Sequence, residues 1–293
     1  MSRSRATAIG FSAVLLWALL ALLTVGTAPV PPLLLNALAF AIGGAVGVVW
    51  TSVTGAWRNL LRVPLRVYVF GTGALFAYHL LYFSALRLAP PAEASLIAYL
   101  WPLFIVLFSG LLPGEKLLKG HVFGACLAFA GAALIVIDGP LALSADHGKG
   151  LALAFMAALT WSGYSVLSRR IGTVPTASVT VFCVGTALLS AIAHLSVEEP
   201  AWPMNATGWI SITALGLGPV GLAFYTWDIG VKRGNIQILG VSAYAAPLLS
   251  TLILIAAGIA PASLRIALAA ILIAGGAALA ARAGARQAPV TTG

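Results

Sequence analysis

Ten apolar runs of about twenty residues each, parted by short joints that carry Pro, Gly or Arg, make up nearly all of this chain. A run of that length crosses the roughly 30 Å hydrocarbon core of a bilayer as a helix. In lipid every backbone N–H and C=O must be satisfied inside its own segment, which makes the helix the natural form for such runs. The candidate spans are 6–26, 33–54, 66–87, 92–112, 121–138, 149–168, 176–195, 207–229, 235–257 and 264–283. The first follows Arg3 and Arg5 as a signal peptide would, but it is too long for an h-region and its pattern recurs later, so it is retained as a span. No room is left for a soluble domain. Composition agrees: 8% of residues are charged and the mean hydropathy is +1.03, whereas about a quarter of a soluble domain is charged. A water-soluble enzyme is excluded. The expected fold is an all-α integral membrane protein with the lipid bilayer as its main partner.

The net charge of +9 does not indicate nucleic acid, because the basic residues stand in ones and twos between apolar runs rather than on one polar face. They sort by side instead. With the N-terminus in the cytoplasm, alternate loops place Arg3, Arg5, Arg58, Arg62, Arg66, Lys116, Lys119, Arg169, Arg170, Lys232, Arg233, Arg282 and Arg286 inside. Only Arg87, Lys149 and Arg265 fall outside. A bias this strong would be scrambled by a wrong span count, so both termini are predicted in the cytoplasm. The acids Asp138, Asp146, Glu198 and Glu199 lean outward and carry little orienting weight. Cys126 and Cys183 lie within apolar runs and are expected to be small buried hydrophobes, not a disulfide or a zinc site.

The chain repeats itself. Phe11, Ala13, Leu15 and Trp17 spell the same F-x-A-x-L-x-W pattern as Phe155, Ala157, Leu159 and Trp161; Tyr99 and Pro102 recur as Tyr244 and Pro247. The offsets, 144 and 145, fit one alignment. Five spans per half is an odd number, so the second half enters the membrane from the opposite side. Two inverted five-helix repeats, 1–145 and 146–293, are therefore predicted, the architecture of secondary transporters with a substrate site at mid-bilayer.

Ten short spans, two five-helix halves and the segment Leu112-Pro113-Gly114-Glu115-Lys116 after the fourth span resemble the drug/metabolite transporter superfamily, EamA type, over roughly residues 6–283. The second half departs from the family's Gly-Glu with Gly258-Ile259-Ala260. The resemblance implies export of amino acids, aromatic ones favoured, across a bacterial inner membrane. Export of other small amphipathic metabolites or drugs is the alternative, and a membrane-embedded enzyme a more distant one: no Ser/His/Asp set, acidic metal cluster or phosphate-cradling loop is visible. No cofactor and no metal are expected, and the chain is expected to be a monomer or weak oligomer.

Trp50, Trp57, Trp202 and Trp209 lie near span ends, where indoles favour the membrane boundary. Trp17, Trp101 and Trp161 fall nearer mid-span, and Trp17 and Trp161 are equivalent under the repeat, so they either face each other across a pseudo-two-fold axis or simply pack helices. In the third span Tyr78, His79 and Tyr82 share a sector of about 100°; in the sixth, Trp161, Tyr164, Ser165 and Ser168 do the same. Faces this polar should point into the bundle or a wet cavity. Tyr225 and Asp228 stand at i, i+3 in the eighth span, and Tyr244 recurs from Tyr99. Tyr99 and Trp101 are about 200° apart in a regular helix and can share a cavity only if Pro102 breaks it. His79 could bind a substrate carboxylate, relay a proton or satisfy a neighbouring carbonyl. Asp228, four residues before Lys232, could form a local ion pair or meet a substrate amine or proton. Arg87 and Glu93 flank an outside turn, as mouth charges or solvated ones. The candidate substrate-binding set is Trp17, Tyr78, His79, Tyr82, Tyr99, Trp101, Trp161, Tyr164, Ser165, Tyr225 and Tyr244. Gly43/Gly47, Gly120/Gly124 and Gly230/Gly234 allow close helix approach, and Gly216, Gly218 and Pro219 are a candidate hinge.

Overall fold

The computed structural model describes residues 1–137, 145–258 and 260–285. Asp138, Ile259 and Arg286, used above, lie outside them. Among the described residues there is no strand, and ten helices are long and apolar enough to cross a membrane. They are α1 (Arg3–Val25), α2 (Pro32–Val53), α3 (Leu65–Leu88), α4 (Pro91–Ser109), α5 (Lys119–Val136), α6 (Gly148–Arg170), α7 (Ser178–Val197), α8 (Ala206–Arg233), α9 (Ile236–Ala256) and α10 (Leu264–Ala285). The expected edges differ most at the end of α8, which runs to Arg233 rather than 229. Periodicity alone could not place that end, because Lys232 and Arg233 belong to the helix while carrying charge.

The principal contacts pair α5 with α10, α2 with α7 and α8, α3 with α6 and α7, α1 with α8, and α4 with both α6 and α9. Lipid tails are as apolar as leucine, so these seams depend on close van der Waals packing rather than on expulsion of water. Small residues make that possible. A Cβ on Gly124 would stand 2.5 Å from the Gly276 carbonyl oxygen across the α5–α10 seam, and one on Gly10 would stand 2.7 Å from the Gly230 Cα across α1–α8. The two glycines of the candidate hinge differ in their surroundings. A methyl on Gly216 would meet Ile42 Cβ at 2.5 Å, so this glycine admits α2, whereas Gly218 has an ordinary 3.5 Å neighbour.

Four spans are interrupted. α4 consists of helices Pro91–Ala98 and Trp101–Ser109, and α9 of Ile236–Ser242 and Ala245–Ala256. The breaks fall four residues or fewer before Pro102 and Pro247, where a proline removes the amide that would meet the i−4 carbonyl and its ring crowds that carbonyl. α1 is interrupted after Trp17, and α8 carries a π turn at Gly218–Leu222 around Pro219. All four interruptions lie in the middle of their spans, where irregular backbone is tolerated only inside protein or beside a cavity.

Outside the core, Trp50, Trp57, Trp202 and Trp209 are all exposed, and Trp202 stacks on Trp209 at 6.1 Å. Cys183 is buried as expected. Cys126 is exposed on the outer face of α5, because an apolar run in a lipid-facing helix need not point inward.

Candidate functional site

The interrupted helices surround a central cavity of about 450 Å³. Its lining includes Trp17, Tyr78, His79, Tyr82, Tyr99, Trp101 and Trp161 from the candidate set, with Phe83, Phe224 and Pro219. Its polar atoms come also from Thr24, Asn36, Ser95 and Ser250, and no Asp, Glu, Lys or Arg among the described residues lines it. The residues come from the second half of α1, the start of α2, the end of α3, the first half of α4, the middle of α6 and of α8, and the second half of α9. The cavity thus extends from mid-span toward the side away from the chain termini.

Three indoles make the deep wall. Trp17 and Trp161, equivalent under the repeat, meet edge to face at 5.8 Å, and Trp101 lies 6.1 Å from Trp17 and 6.2 Å from Trp161. Such geometries suit the aromatic quadrupole. The Trp17 Nε1–H donates to the Pro219 carbonyl at 3.0 Å, inside the π turn of α8. Trp101 and Tyr99 both line the cavity because the helix breaks between them; in an unbroken α4 one would face away. On α3, Tyr78 and Tyr82 stack at 6.1 Å with their planes 3° apart, and Tyr82 Oη is 3.2 Å from Ser95 Oγ. His79 Nδ1 lies 2.7 Å from the Leu75 carbonyl oxygen. A carbonyl only accepts, so Nδ1 carries the proton in this bond. Phe40 meets the imidazole edge on at 5.0 Å.

Four candidates stand outside the lining, each held by a structural task. Tyr164 is buried between Trp161 (5.3 Å) and Phe70 (5.9 Å). Ser165 Oγ accepts the Trp227 Nε1–H at 3.1 Å. Tyr225 donates to the Gly43 carbonyl at 3.2 Å, with Thr180 Oγ1 at 3.3 Å, which ties α8 to α2 and α7. The Tyr244 hydroxyl accepts the Leu103 amide at 3.1 Å. That amide is in the first turn of the second α4 helix, where donors lack intrahelical partners, so Tyr244 serves as a cap supplied by the other half. Asp228, 1% exposed, forms the local pair: Oδ1 is 2.8 Å from Lys232 Nζ, and Thr176 donates to Oδ2 at 2.7 Å.

Sequence periodicity missed Trp227. It is fully buried beneath the cavity, 5.0 Å from Trp17 and 5.7 Å from Trp101. Phe224 and Trp227 are spaced i, i+3, as Tyr225 and Asp228 are, one residue and about 100° away. Both faces of α8 are buried, and polarity drew attention to the wrong one.

Below Trp227, on the side holding the termini, Glu115 joins four elements. Its carboxylate accepts from Arg3 Nη2 at 2.8 Å and from Gln237 Nε2 at 3.2 Å, and it pairs with Arg169. Arg169 also donates at 2.9 Å to the Val231 and Gly234 carbonyls at the end of α8. Gly114, at φ +78°, makes the turn that aims Glu115 back at the bundle. Gly258 has the matching φ of +72°, but the residue after it in the sequence is Ile259, where the first half has Glu115. Burial raises the Glu115 pKa, but Arg169 and Arg3 outweigh it and leave the carboxyl below its usual range. A depressed pKa means the network is intact above the ordinary carboxylate value of about 4.3 and is lost only as pH falls through the lower folded value. Glu115→Gln should therefore expose a cysteine introduced at Ser168, 3% exposed beside Arg169, to a water-soluble thiol reagent at neutral pH. With Glu115 in place the same cysteine should stay protected down to about pH 5; equal labelling of the two proteins there would disprove the lock.

On the opposite side Glu198, its side chain 2% exposed, accepts from the Leu33 and Leu34 amides at 3.1 and 3.2 Å and from Arg87 at 2.7 Å, with His194 Nδ1 at 3.0 Å. A carboxylate there caps α2 and meets the positive end of its dipole. Arg87 is thus a paired charge, and Glu93 is buried rather than solvated.

A model of the EamA-like transporter family matches residues 5–137 and 148–282. The chain is 53% identical over 282 residues to the aromatic amino acid exporter YddG of Ancylobacter novellus, across 96% of this chain and 98% of that protein. It is 25% identical over 266 residues to the protein of that name in Salmonella typhimurium, across 86% and 88% of the two chains. A crystal structure of a protein with 52% sequence identity superposes at a TM-score of 0.94, covering 97% of this chain and 99% of that one. With ten apolar helices around a mid-span cavity and matches across both halves, the chain belongs to the EamA-like transporter family.

Proposed function

We propose that this protein is a secondary transporter of the bacterial inner membrane that exports amino acids, aromatic ones favoured, by alternating access of the central cavity. The observation that carries this reading is the lining: indole, phenol and hydroxyl groups with no formal charge, at the depth where the helices break. A zwitterion here would be held by dipoles and ring faces. An ammonium over an aromatic face gains roughly 0.5–2 kcal/mol, and a stacked substrate ring about 0.5–1.5 kcal/mol beyond its area burial. Contacts of that size suit binding that must be released each cycle. The names of the relatives favour the same substrates.

Two inverted halves, 1–145 and 146–293, would supply the motion, with both termini cytoplasmic. Support comes from the paired family matches and from contacts that exchange when α1–α5 and α6–α10 are swapped: α3–α6 becomes α8–α1, while α5–α10, α2–α7 and α4–α9 map onto themselves. The Glu115 network closes the cytoplasmic side, and the sequence has Ile259 in place of a matching carboxylate. On this reading the cavity faces outward, and Tyr99 and Tyr244 trade roles when it turns inward.

Counterflow of radiolabelled tryptophan and phenylalanine in proteoliposomes tests the function, with a panel of all amino acids as competitors. Saturable exchange with aromatic competitors strongest is expected; flux without counterflow would indicate a channel. His79→Ala should lower export and alter its profile across about pH 5–8. Wild-type rates throughout would limit His79 to its bond with Leu75.

A further inference from the structure

A second concavity, of about 210 Å³, lies between the start of α3 and the end of α6 and shares no residue with the central cavity. Arg66, Val67, Phe70, Leu167, Arg170 and Ile171 enclose it. Arg66 is the second residue of α3 and Arg170 the last of α6, which puts both at the membrane–water boundary on the side holding the termini. Phe70 and Leu167 lie about one turn deeper, at acyl depth. Both arginines are exposed, and neither takes part in the ion pairs made by Arg3, Arg87, Arg169, His194 and Lys232. Among the described residues no acid lines the groove.

Topogenic bias explains arginines at this depth, but it does not explain a concavity with two of them at its rim and an apolar wall beneath. A guanidinium offers a planar fork of donors that fits phosphate oxygens. The shared chemistry is a phosphate anion; a soluble phosphate would leave Phe70 and Leu167 uncovered, whereas a phospholipid covers them with its first acyl carbons. We propose that this groove binds one anionic phospholipid, with its phosphodiester at Arg66 and Arg170 and an acyl chain against Phe70 and Leu167. The site draws on one helix from each half and is independent of what the central cavity carries.

Native mass spectrometry of the full chain, released from nanodiscs of equal phosphatidylglycerol and phosphatidylcholine, tests this. One phosphatidylglycerol should be retained, enriched about thirtyfold over phosphatidylcholine, as two basic contacts near the surface provide. Arg66→Gln and Arg170→Gln should each cut the enrichment about fivefold, their double variant should abolish it, and Arg66→Lys/Arg170→Lys should keep most of it. The single variants serve if the double one does not fold. Equal retention of the two lipids by wild type, unchanged enrichment in the glutamine variants, or displacement of the lipid by millimolar inorganic phosphate would each overturn the assignment.

Discussion

Asp228→Asn should destabilise the protein by about 3–5 kcal/mol, the usual result of leaving one member of a buried ion pair without its partner. Lys232 Nζ lies 2.8 Å from the carboxylate and its side chain is 3% exposed, so the ammonium cannot turn to water without moving the end of α8. Its remaining partner is the Val174 carbonyl at 3.0 Å, a dipole where a full charge stood. Thr176 would also lose a charge-assisted bond. Thermal unfolding in detergent checks the magnitude. Asp228→Asn/Lys232→Met should recover much of the loss, because removing both charges removes the desolvation cost as well. The pair lies away from the cavity lining, so the protein that does fold should retain its substrate affinity. A folded Asp228→Asn of wild-type stability with a raised Km would instead make Asp228 a substrate ligand.

Trp161→Ala carries the second large effect, on binding. Trp161 meets Trp17, Trp101, Tyr78 and Phe224 within 6.2 Å and forms part of the cavity wall. An aromatic substrate against this wall would lose ring contacts worth about 0.5–1.5 kcal/mol each, so the apparent Km for tryptophan and phenylalanine should rise about tenfold. Alanine and serine, which present no ring, should change little. Counterflow kinetics with both classes separates this from general damage: a uniform rise would mean the wall had collapsed, and no rise would place the substrate elsewhere. Trp101→Ala should act in the same direction.

Much of the architecture was legible because lipid enforces a simple rule. Runs long enough to span must be helices, and the proline, glycine and arginine joints mark where they stop; the edges differ by only a few residues. The central aromatics were legible for a related reason. Tyr78, His79 and Tyr82 share one face of α3, and a polar face in lipid must turn inward. What periodicity could not separate was a polar face turned toward the cavity from one turned toward a neighbouring helix. Tyr164, Ser165, Tyr225 and Tyr244 are buried outside the lining: Ser165, Tyr225 and Tyr244 bond Trp227, Gly43 and Leu103, and Tyr164 packs between Trp161 and Phe70. Trp227 went unnoticed for the converse reason, since an indole among apolar residues carries no phase signal of its own. The Glu115 network joins positions 3, 115, 169 and 237; such separations are invisible to local spacing, although the Pro-Gly-Glu turn marked one of its members.

The most direct measurement places a single cysteine at Ser250, on the cavity wall, in a protein whose Cys126 and Cys183 are replaced by serine. In proteoliposomes of fixed orientation, a membrane-impermeant thiol reagent should modify it from the side away from the termini, and phenylalanine should slow that modification in proportion to its occupancy. Modification at the same rate with and without saturating phenylalanine, or no modification from that side, would contradict a solute path through this cavity.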